Sequence, residues 1–294
     1  MHQVAVAPVG RGRVPMHAEQ ATREVPGAIF FGPFFGEFGH ELMWSGMCRY
    51  YGGGHSRVLV CSRPAMAPLY KDFASEFIPH PFRCEGVCAG ATGKTRPSDA
   101  AILALCRPNV KRIPASMYRA GGPAKFFQYG VKKPEHAGAV VIHARSRGHV
   151  RMRNWAPDRW NRLARWLIDK VKVKRVICIG SKEAALPVEG ALDMRGADLQ
   201  EQMNVLASAL CCIGPSSGPM HLAEHCGCPV LVWCGGGPHE RHEVRLRYET
   251  TWNPFGAFAH AYEYASWQPT YETVYVWTHK FLEALCARPN RNKS

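Results

Sequence analysis

One stretch, from Cys211 to Gly237, limits what this chain can fold into more than any other. An apolar run from Ala209 to Ile213 meets the turn Gly214-Pro215-Ser216-Ser217-Gly218-Pro219. Leu222 and Ala223 then fall at helical spacing between Met220 and Cys226, and a second apolar run covers Pro229 to Trp233. The pattern predicts strand, tight turn, helix, strand. Pro219 suits a first helical turn, where its missing N–H costs nothing. Such a turn offers backbone N–H groups and the positive end of a helix dipole, so it can hold an anionic group such as a diphosphate without a metal. An ordinary βαβ crossover with a glycine-rich turn has the same pattern, and the residues alone leave both readings open.

Length allows two domains of ordinary size, since 294 residues with 46% apolar content can bury one large or two medium cores. No apolar run reaches the length of a transmembrane helix. Residues 1–26 carry Arg11, Arg13 and Arg23 without an apolar core of signal-peptide type. They read as a flexible leader on a cytoplasmic protein. The 12 cysteines do not suggest a disulfide framework, because Cys61, Cys106, Cys178, Cys211, Cys212 and Cys234 sit inside apolar runs where buried free thiols belong. A formal charge of +14 attracts nucleic acid, anionic head groups or other polyanions. It says nothing about fold.

Ala28 to Phe31 predicts a strand that runs into the loop Gly32-Pro33-Phe34-Phe35-Gly36-Glu37-Phe38-Gly39-His40-Glu41-Leu42. Met43, Trp44, Met47 and Tyr50 follow as a buried helix. Glu37, His40 and Glu41 are the ionisable groups of this loop. A carboxylate or the His40 imidazole there can act as general base toward an acceptor hydroxyl, with Glu37 ahead of Glu41, since burial against Phe34, Phe35 and Phe38 would raise a carboxylate pKa. Helix capping accounts for the same residues without chemistry. Arg57 to Cys61 predicts a second strand and Met66 to Phe77 a helix; Ala100 to Cys106 and Val110 to Ile113 supply further buried elements, and 121–135 reads as a linker. The piece Gly90-Ala91-Thr92-Gly93-Lys94-Thr95 is no P-loop, since Cys88 stands where the first glycine is needed. Cys84 and Cys88, without a second pair, make a poor zinc site.

Ala139 to Ala144 is an apolar run of parallel-strand type, followed by Arg145, Arg147, Arg151 and Arg153. Guanidinium groups past a strand end can bind phosphate bidentately and neutralise a departing diphosphate; an exposed basic loop is the alternative. Lys174 to Gly180 predicts the next strand. Glu183, just past it, either holds ribose hydroxyls or caps a turn in solvent. Asp198 predicts a helix cap ahead of Leu199, Met203 and Leu206. After Gly237 the chain turns polar and aromatic, with Arg241, Arg245 and Arg247 beside Tyr248, Trp252, Phe255, Tyr262 and Trp267. That composition suits either a stacking surface or aromatics packed inside. Thr270 to Cys286 predicts a final helix.

Ser217-Gly218-Pro219-Met220-His221-Leu222-Ala223, with Gly227 and Pro229-Val230, resembles the D-S-G-P-M-H-L-A…G-x-P-V signature of glycosyltransferase family 9, the heptosyltransferase-like enzymes of the GT-B fold. Ser216 stands where that signature has aspartate. The segment from Asn154 to Trp160 is similar to the family's K-x-W-P-x-x-x-[FW] entry, with Arg153 or Asn154 near the basic position. Asp193 to Gln202 resembles L-x-G-x-x-S-L-x-E, and Gly32 to Leu42 gives a shorter echo, with its carboxylate in the first glycine loop.

The resemblance implies an α/β protein of two Rossmann-like domains facing a central cleft. Its domains would be an acceptor-side domain over 27–135, a nucleotide-sugar-binding domain over 139–270, and a helix and tail over 271–294. It implies inverting, metal-independent sugar transfer from a nucleoside diphosphate sugar to a hydroxyl, with no cofactor. Donor binding would fall to Arg145, Arg147, Arg153, Glu183, Ser216, Ser217, Gly218, Pro219, Met220 and His221, the last either touching the diphosphate or packing beneath the turn. The acceptor is a lipopolysaccharide-type glycan or, given the charge, hydroxymethylated DNA of the bacteriophage kind. A nucleotide-sugar epimerase or hydrolase, and a nucleic-acid-binding protein without activity, are the alternatives.

Overall fold

The computed structural model describes residues 3–6, 27–82, 97–107, 109–117, 122–148 and 150–288. The P-loop-like piece at 90–95 and both Cys84 and Cys88 lie outside them. The chain divides into two compact units, Met1–Phe127 and Gln128–Ser294.

In unit 1, β1 (Gln3–Val6) is followed by β2 (Ala28–Phe31), α1 (Phe38–Gly52), β3 (Arg57–Ser62), β4 (Glu76–Pro79), α2 (Asp99–Ala104), β5 (Lys111–Ile113) and β6 (Ala124–Phe127). Four of these strands form a parallel sheet in the order β4-β3-β2-β5. Its central strands β2 and β3 are apolar and largely buried, as strands covered on both faces are, while the edge strands β4 and β5 are only partly buried. Phe30, Leu59, Cys61 and Ile78 pack together, while Trp44 of α1 stacks on Phe34 with ring centroids 5.8 Å apart and meets Phe31 edge-on at 6.2 Å.

Three expectations change in this unit. Within 66–77 there is no α-helix: Pro64–Leu69 is a 3-10 turn containing Pro68, which has no N–H to donate, and β4 begins at Glu76. Tyr50 is half exposed, on the outer side of α1. The stretch 121–135 contains β6, whose Ala124 and Phe126 are buried, and β6 pairs antiparallel with β1 inside the expected leader.

Unit 2 holds β7 (Ala139–Ile142), α3 (Pro157–Trp166), β8 (Arg175–Cys178), β9 (Leu192–Asp193), α4 (Leu199–Ser208), β10 (Cys211–Pro215), α5 (Gly218–His225), β11 (Val230–Cys234), α6 (Pro238–Leu246), β12 (Ala259–Glu263) and α7 (Tyr271–Cys286). Its parallel sheet runs β12-β11-β10-β7-β8-β9. The chain lays β7, β8 and β9 toward one edge, then returns to set β10 on the other side of β7. Trp155, Trp160 and Trp233 form one aromatic core, with centroids 4.8 to 5.5 Å apart. The Trp155 indole N–H reaches the Pro269 carbonyl at 2.7 Å, which ties the segment before α7 to the core. Asp198 caps α4 as expected, accepting the Glu201 N–H at 2.7 Å. Residues 238–263, polar and aromatic in sequence, form α6, a π-turn over Arg247–Thr251, and β12. Tyr248, Trp252 and Trp267 are buried, so these aromatics are packed inside.

No helix among the described residues is long and apolar enough to cross a membrane.

Candidate functional site

In an open parallel sheet, the crevice for a ligand lies outside the carboxyl ends of the strands where the strand order reverses. In unit 2 that point falls between β7 and β10. The residues just past these strands are His143 to Arg153 on one side and Ser216 to Met220 on the other.

The β10–α5 turn is built from its own backbone and one distant side chain. The Met220 and His221 N–H groups bend back to the Ser217 carbonyl at 3.1 and 3.3 Å. The Ser217 N–H donates to the Tyr248 hydroxyl oxygen at 3.1 Å, and that hydroxyl lies 3.3 Å from the Ser216 Oγ, to which it donates. Pro219 has no N–H, and the Gly218 N–H takes no part in these bonds. The Ser217 Oγ is enclosed and has no hydrogen-bond partner among the described residues. Gly214 must be glycine here: a Cβ would stand 2.9 Å from the Met220 Sδ and 3.0 Å from the His143 carbonyl.

Beneath the turn, the His221 ring lies parallel to Tyr248 at 4.1 Å and tilted against Trp252 at 4.7 Å. Its Nδ1 is 3.2 Å from the Glu224 Oε2. Glu224 is buried, and burial pushes its carboxyl well above the ordinary range. Its Oε1 has no partner among the described residues, which a buried charged carboxylate would not tolerate.

His143 directly follows β7, with 3% of its surface exposed. Its Nδ1 lies 3.3 Å from the Ile179 carbonyl. A carbonyl only accepts, so Nδ1 carries the proton and Nε2 carries the lone pair. Burial, with help from Arg145 and Arg147, pushes this imidazole down to about 4. Gly180, at φ +117°, makes room for the ring, since a Cβ there would come within 3.0 Å of Nδ1.

The arginines past β7 have distinct surroundings. Arg145 is buried, and its guanidinium donates to the Val150 carbonyl at 3.2 Å and to the Asn154 Oδ1. Asn154 also accepts the Arg147 N–H at 3.1 Å and donates to the Arg147 carbonyl at 2.9 Å, which closes the loop into a ring. Arg147 is partly exposed. Arg153 pairs with Glu240 at 3.0 Å and lies over the Trp267 ring at 4.0 Å. Glu183 is exposed in the turn after β8.

In unit 1 the strand order reverses between β2 and β5. Glu37 occupies the N-cap position of α1 without a side-chain capping bond and is partly exposed, as is His40. Glu41 is 0% exposed. Its carboxyl accepts from Ser62, from Arg63 and, at 3.0 Å, from Tyr70. Burial raises this carboxyl and Arg63 opposes the rise. A cavity of about 440 Å³ lies at the reversal, bounded by Pro33, Phe35, Asp99, Ile102, Arg112 and Ser116. That volume is within the range of small-ligand pockets. Among the described residues no cluster of three or more His, Cys, Asp or Glu is placed to hold a metal ion.

The structure thus gathers Ser216 to His221 and the arginine loop around one strand reversal in unit 2, and Glu37, His40 and Glu41 at the start of α1 in unit 1. Sequence patterning does not single out His143 or Glu224, and it shows Tyr248 only as one of several aromatics after Gly237. An ionisable residue closing an apolar strand was the available signal for His143. Tyr248, 31 residues from Ser217, has no local signal.

Neither a family model nor a curated protein matches the chain by sequence. Its fold is similar to that of a glycosyl transferase family 9 protein from Veillonella parvula, at TM-score 0.57 and 13% identity over 90% of this chain and 100% of that one. It is also similar to the E. coli ADP-heptose lipopolysaccharide heptosyltransferase II, at TM-score 0.57 and 15% identity over 88% of this chain and 99% of that one. The E. coli heptosyltransferase WaaC, solved with ADP, gives a TM-score of 0.55 and 12% identity over 86% of this chain and 99% of that one. Each of the two units is an α/β fold built on a parallel sheet, as the signature around Ser217 implies.

Proposed function

We propose that the protein is a glycosyltransferase that moves a sugar from a nucleoside diphosphate sugar to an acceptor hydroxyl. The observation that carries this reading is the β10–α5 turn at the strand reversal. Its enclosed Ser217 hydroxyl has no partner among the described residues and its Gly218 N–H lies outside the turn's own bonds. A diphosphate oxygen would satisfy both at the positive end of α5. The similarity in fold to proteins named as heptosyltransferases supports the same class.

In the proposed displacement, the Glu37 carboxylate takes the acceptor's proton as the acceptor oxygen attacks the anomeric carbon. The bond from that carbon to the diphosphate oxygen breaks, and the diphosphate leaves with the electron pair. The charge that develops is met by the Ser217 hydroxyl, the Gly218 N–H and the Arg147 guanidinium. A single displacement inverts the anomeric centre, and these groups need no metal to neutralise the leaving group. Glu41 is set aside as base because its oxygens are already held within unit 1. The acceptor is assigned as a polyanion, a lipopolysaccharide-type glycan or hydroxymethylated DNA, on the +14 charge. We place the enzyme in the cytoplasm, where the free and mostly buried cysteines of the described residues would stay reduced.

The test is thermal stability with UDP, GDP, ADP, CDP and dTDP in turn, without added metal. A ligand at about a hundred times its Kd adds about 2.7 kcal/mol to the native state, a rise of roughly 5 °C or more for a chain of this size. One nucleotide is expected to give that rise. A flat response to all five, together with salt-sensitive DNA binding, overturns the donor reading in favour of nucleic-acid binding alone. Donor turnover without an acceptor would instead mark a hydrolase.

A further inference from the structure

Tyr248 reaches the β10–α5 turn from another part of unit 2. It sits in the π-turn that continues α6, and Asn253 fixes that turn by donating to the Tyr248 carbonyl at 3.0 Å and to the Ala257 carbonyl at 2.8 Å while accepting the Ala257 N–H at 2.8 Å. The ring is buried and stacked on His221. Its hydroxyl accepts the Ser217 N–H at 3.1 Å and has two acceptors in reach at 3.3 Å, the Ser216 Oγ and the Ser217 carbonyl. One phenol therefore fixes both residues that lead into α5. We propose that Tyr248 is a positioning residue that presets the diphosphate turn with an uncharged group, making the turn selective for the diphosphate portion of the ligand. The inference rests on the donor reading given above.

The groups beneath the turn support it. Burial holds the phenol far above its ordinary range, so it stays a neutral donor. The same burial pushes the carboxyl of the nearby Glu224 upward. The resembling signature has a carboxylate at the position of Ser216, which would bring a full negative charge next to the incoming phosphates. In this chain Ser216 and Tyr248 anchor the backbone through hydroxyls, and the positive end of α5 stays uncompensated. Tyr248 does not itself touch the ligand; it acts through the Ser217 N–H and the aim of the Ser217 hydroxyl.

Calorimetry on the full-length wild type, Tyr248→Phe, Ser216→Ala and Ser216→Asp, with the five nucleoside diphosphates and the five matching nucleosides, tests this. The diphosphate that binds the wild type is expected to bind Tyr248→Phe about tenfold more weakly while the nucleoside keeps its affinity within about twofold, since only the phosphate end meets the turn. Ser216→Asp is expected to weaken the diphosphate at least as much, and more at low salt. If Tyr248→Phe has no melting transition, Ser216→Ala carries the test with an expected loss of about fivefold confined to the diphosphate. Unchanged diphosphate affinity in the variants, or a loss shared equally by the nucleoside, overturns the inference and leaves the donor reading standing. A wild type that binds none of the five overturns both.

Discussion

Glu37 and Glu41 lie four residues apart and meet opposite surroundings, which separates a chemical role from a structural one. Glu41 is sealed with Ser62, Arg63 and Tyr70. Its replacement by alanine leaves a guanidinium and two hydroxyls without their acceptor and is expected to cost about 3 kcal/mol, as breaking a buried pair usually does. Glu37→Gln, at a partly exposed position, is expected to keep wild-type stability and donor affinity yet stop transfer. Urea denaturation and calorimetry of the two variants check both outcomes, and a Glu37→Gln enzyme that still transfers sugar removes the assigned base. His143 gives a pH signature. Its folded pKa, about 4, lies below the ordinary 6.5, so the unfolded chain binds more protons between those values and stability rises with pH there. The stabilising effect is complete above pH 6.5 and is lost as pH falls toward 4, at up to about 1.4 kcal/mol per pH unit. His143→Asn, which keeps a donor for the Ile179 carbonyl but cannot titrate, is expected to lose less stability than the wild type between pH 6.5 and pH 4.5. Parallel losses in the two proteins would mean that His143 does not titrate as a buried neutral group. At this scale the sequence marks residues that chemistry makes conspicuous, such as Ser217 in its turn and Glu37 in its loop. It leaves Glu224 unmarked and shows Tyr248 only as one aromatic among several, because their roles come from packing against residues outside any local window.

Elements were legible where the chain itself punctuates them. The apolar run into Gly214-Pro215 became β10, and Pro219 opened the first turn of α5. Asp198 became the cap of α4, because a short carboxylate just ahead of an amphipathic run can accept an N–H that the helix leaves unmatched. Asp198→Ala is accordingly expected to cost about 1 kcal/mol without altering nucleotide affinity. Equilibrium denaturation alongside nucleotide titration reads both, and a change in affinity would tie α4 to the ligand crevice. Elements that draw their definition from neighbours were less legible. β12, Ala-His-Ala-Tyr-Glu, is a half-buried edge strand that pairs only with β11, so it shows no apolar run. β6 lies in a segment rich in glycine, proline and lysine and becomes a strand through its pairing with β1. In 64–69 the two prolines outweigh the apolar spacing that suggested a helix, and the turn stays 3-10.

For the whole molecule, the charge must be weighed after the arginines engaged within the fold are set apart. Arg49 pairs with Asp72, Arg57 and Arg107 share Glu76, Arg153 pairs with Glu240, and Arg145 is consumed by its own loop. The formal +14 still exceeds what solubility needs. A donor brings a fixed small charge, whereas a polymeric acceptor brings many, so salt dependence distinguishes them. Each phosphate neutralised on a duplex adds about 0.9 to the log–log slope of affinity against salt. A fourfold rise in salt therefore weakens an acceptor held through two phosphates by about twelvefold. The KM for hydroxymethylated DNA, or for a phosphorylated core glycan, is expected to climb by roughly that much between about 50 and 200 mM salt. A short neutral glycoside carrying the same acceptor hydroxyl should be used with a nearly constant KM, because its binding releases no counterions. Steady-state transfer with each acceptor at several salt concentrations, donor saturating, makes the comparison. A flat response with the polyanion would detach the charge from the acceptor and leave its choice to contacts with the sugar or base itself. A steep response for DNA with a flat one for the glycan would assign the basic surface to nucleic acid, and the reverse would assign it to the glycan.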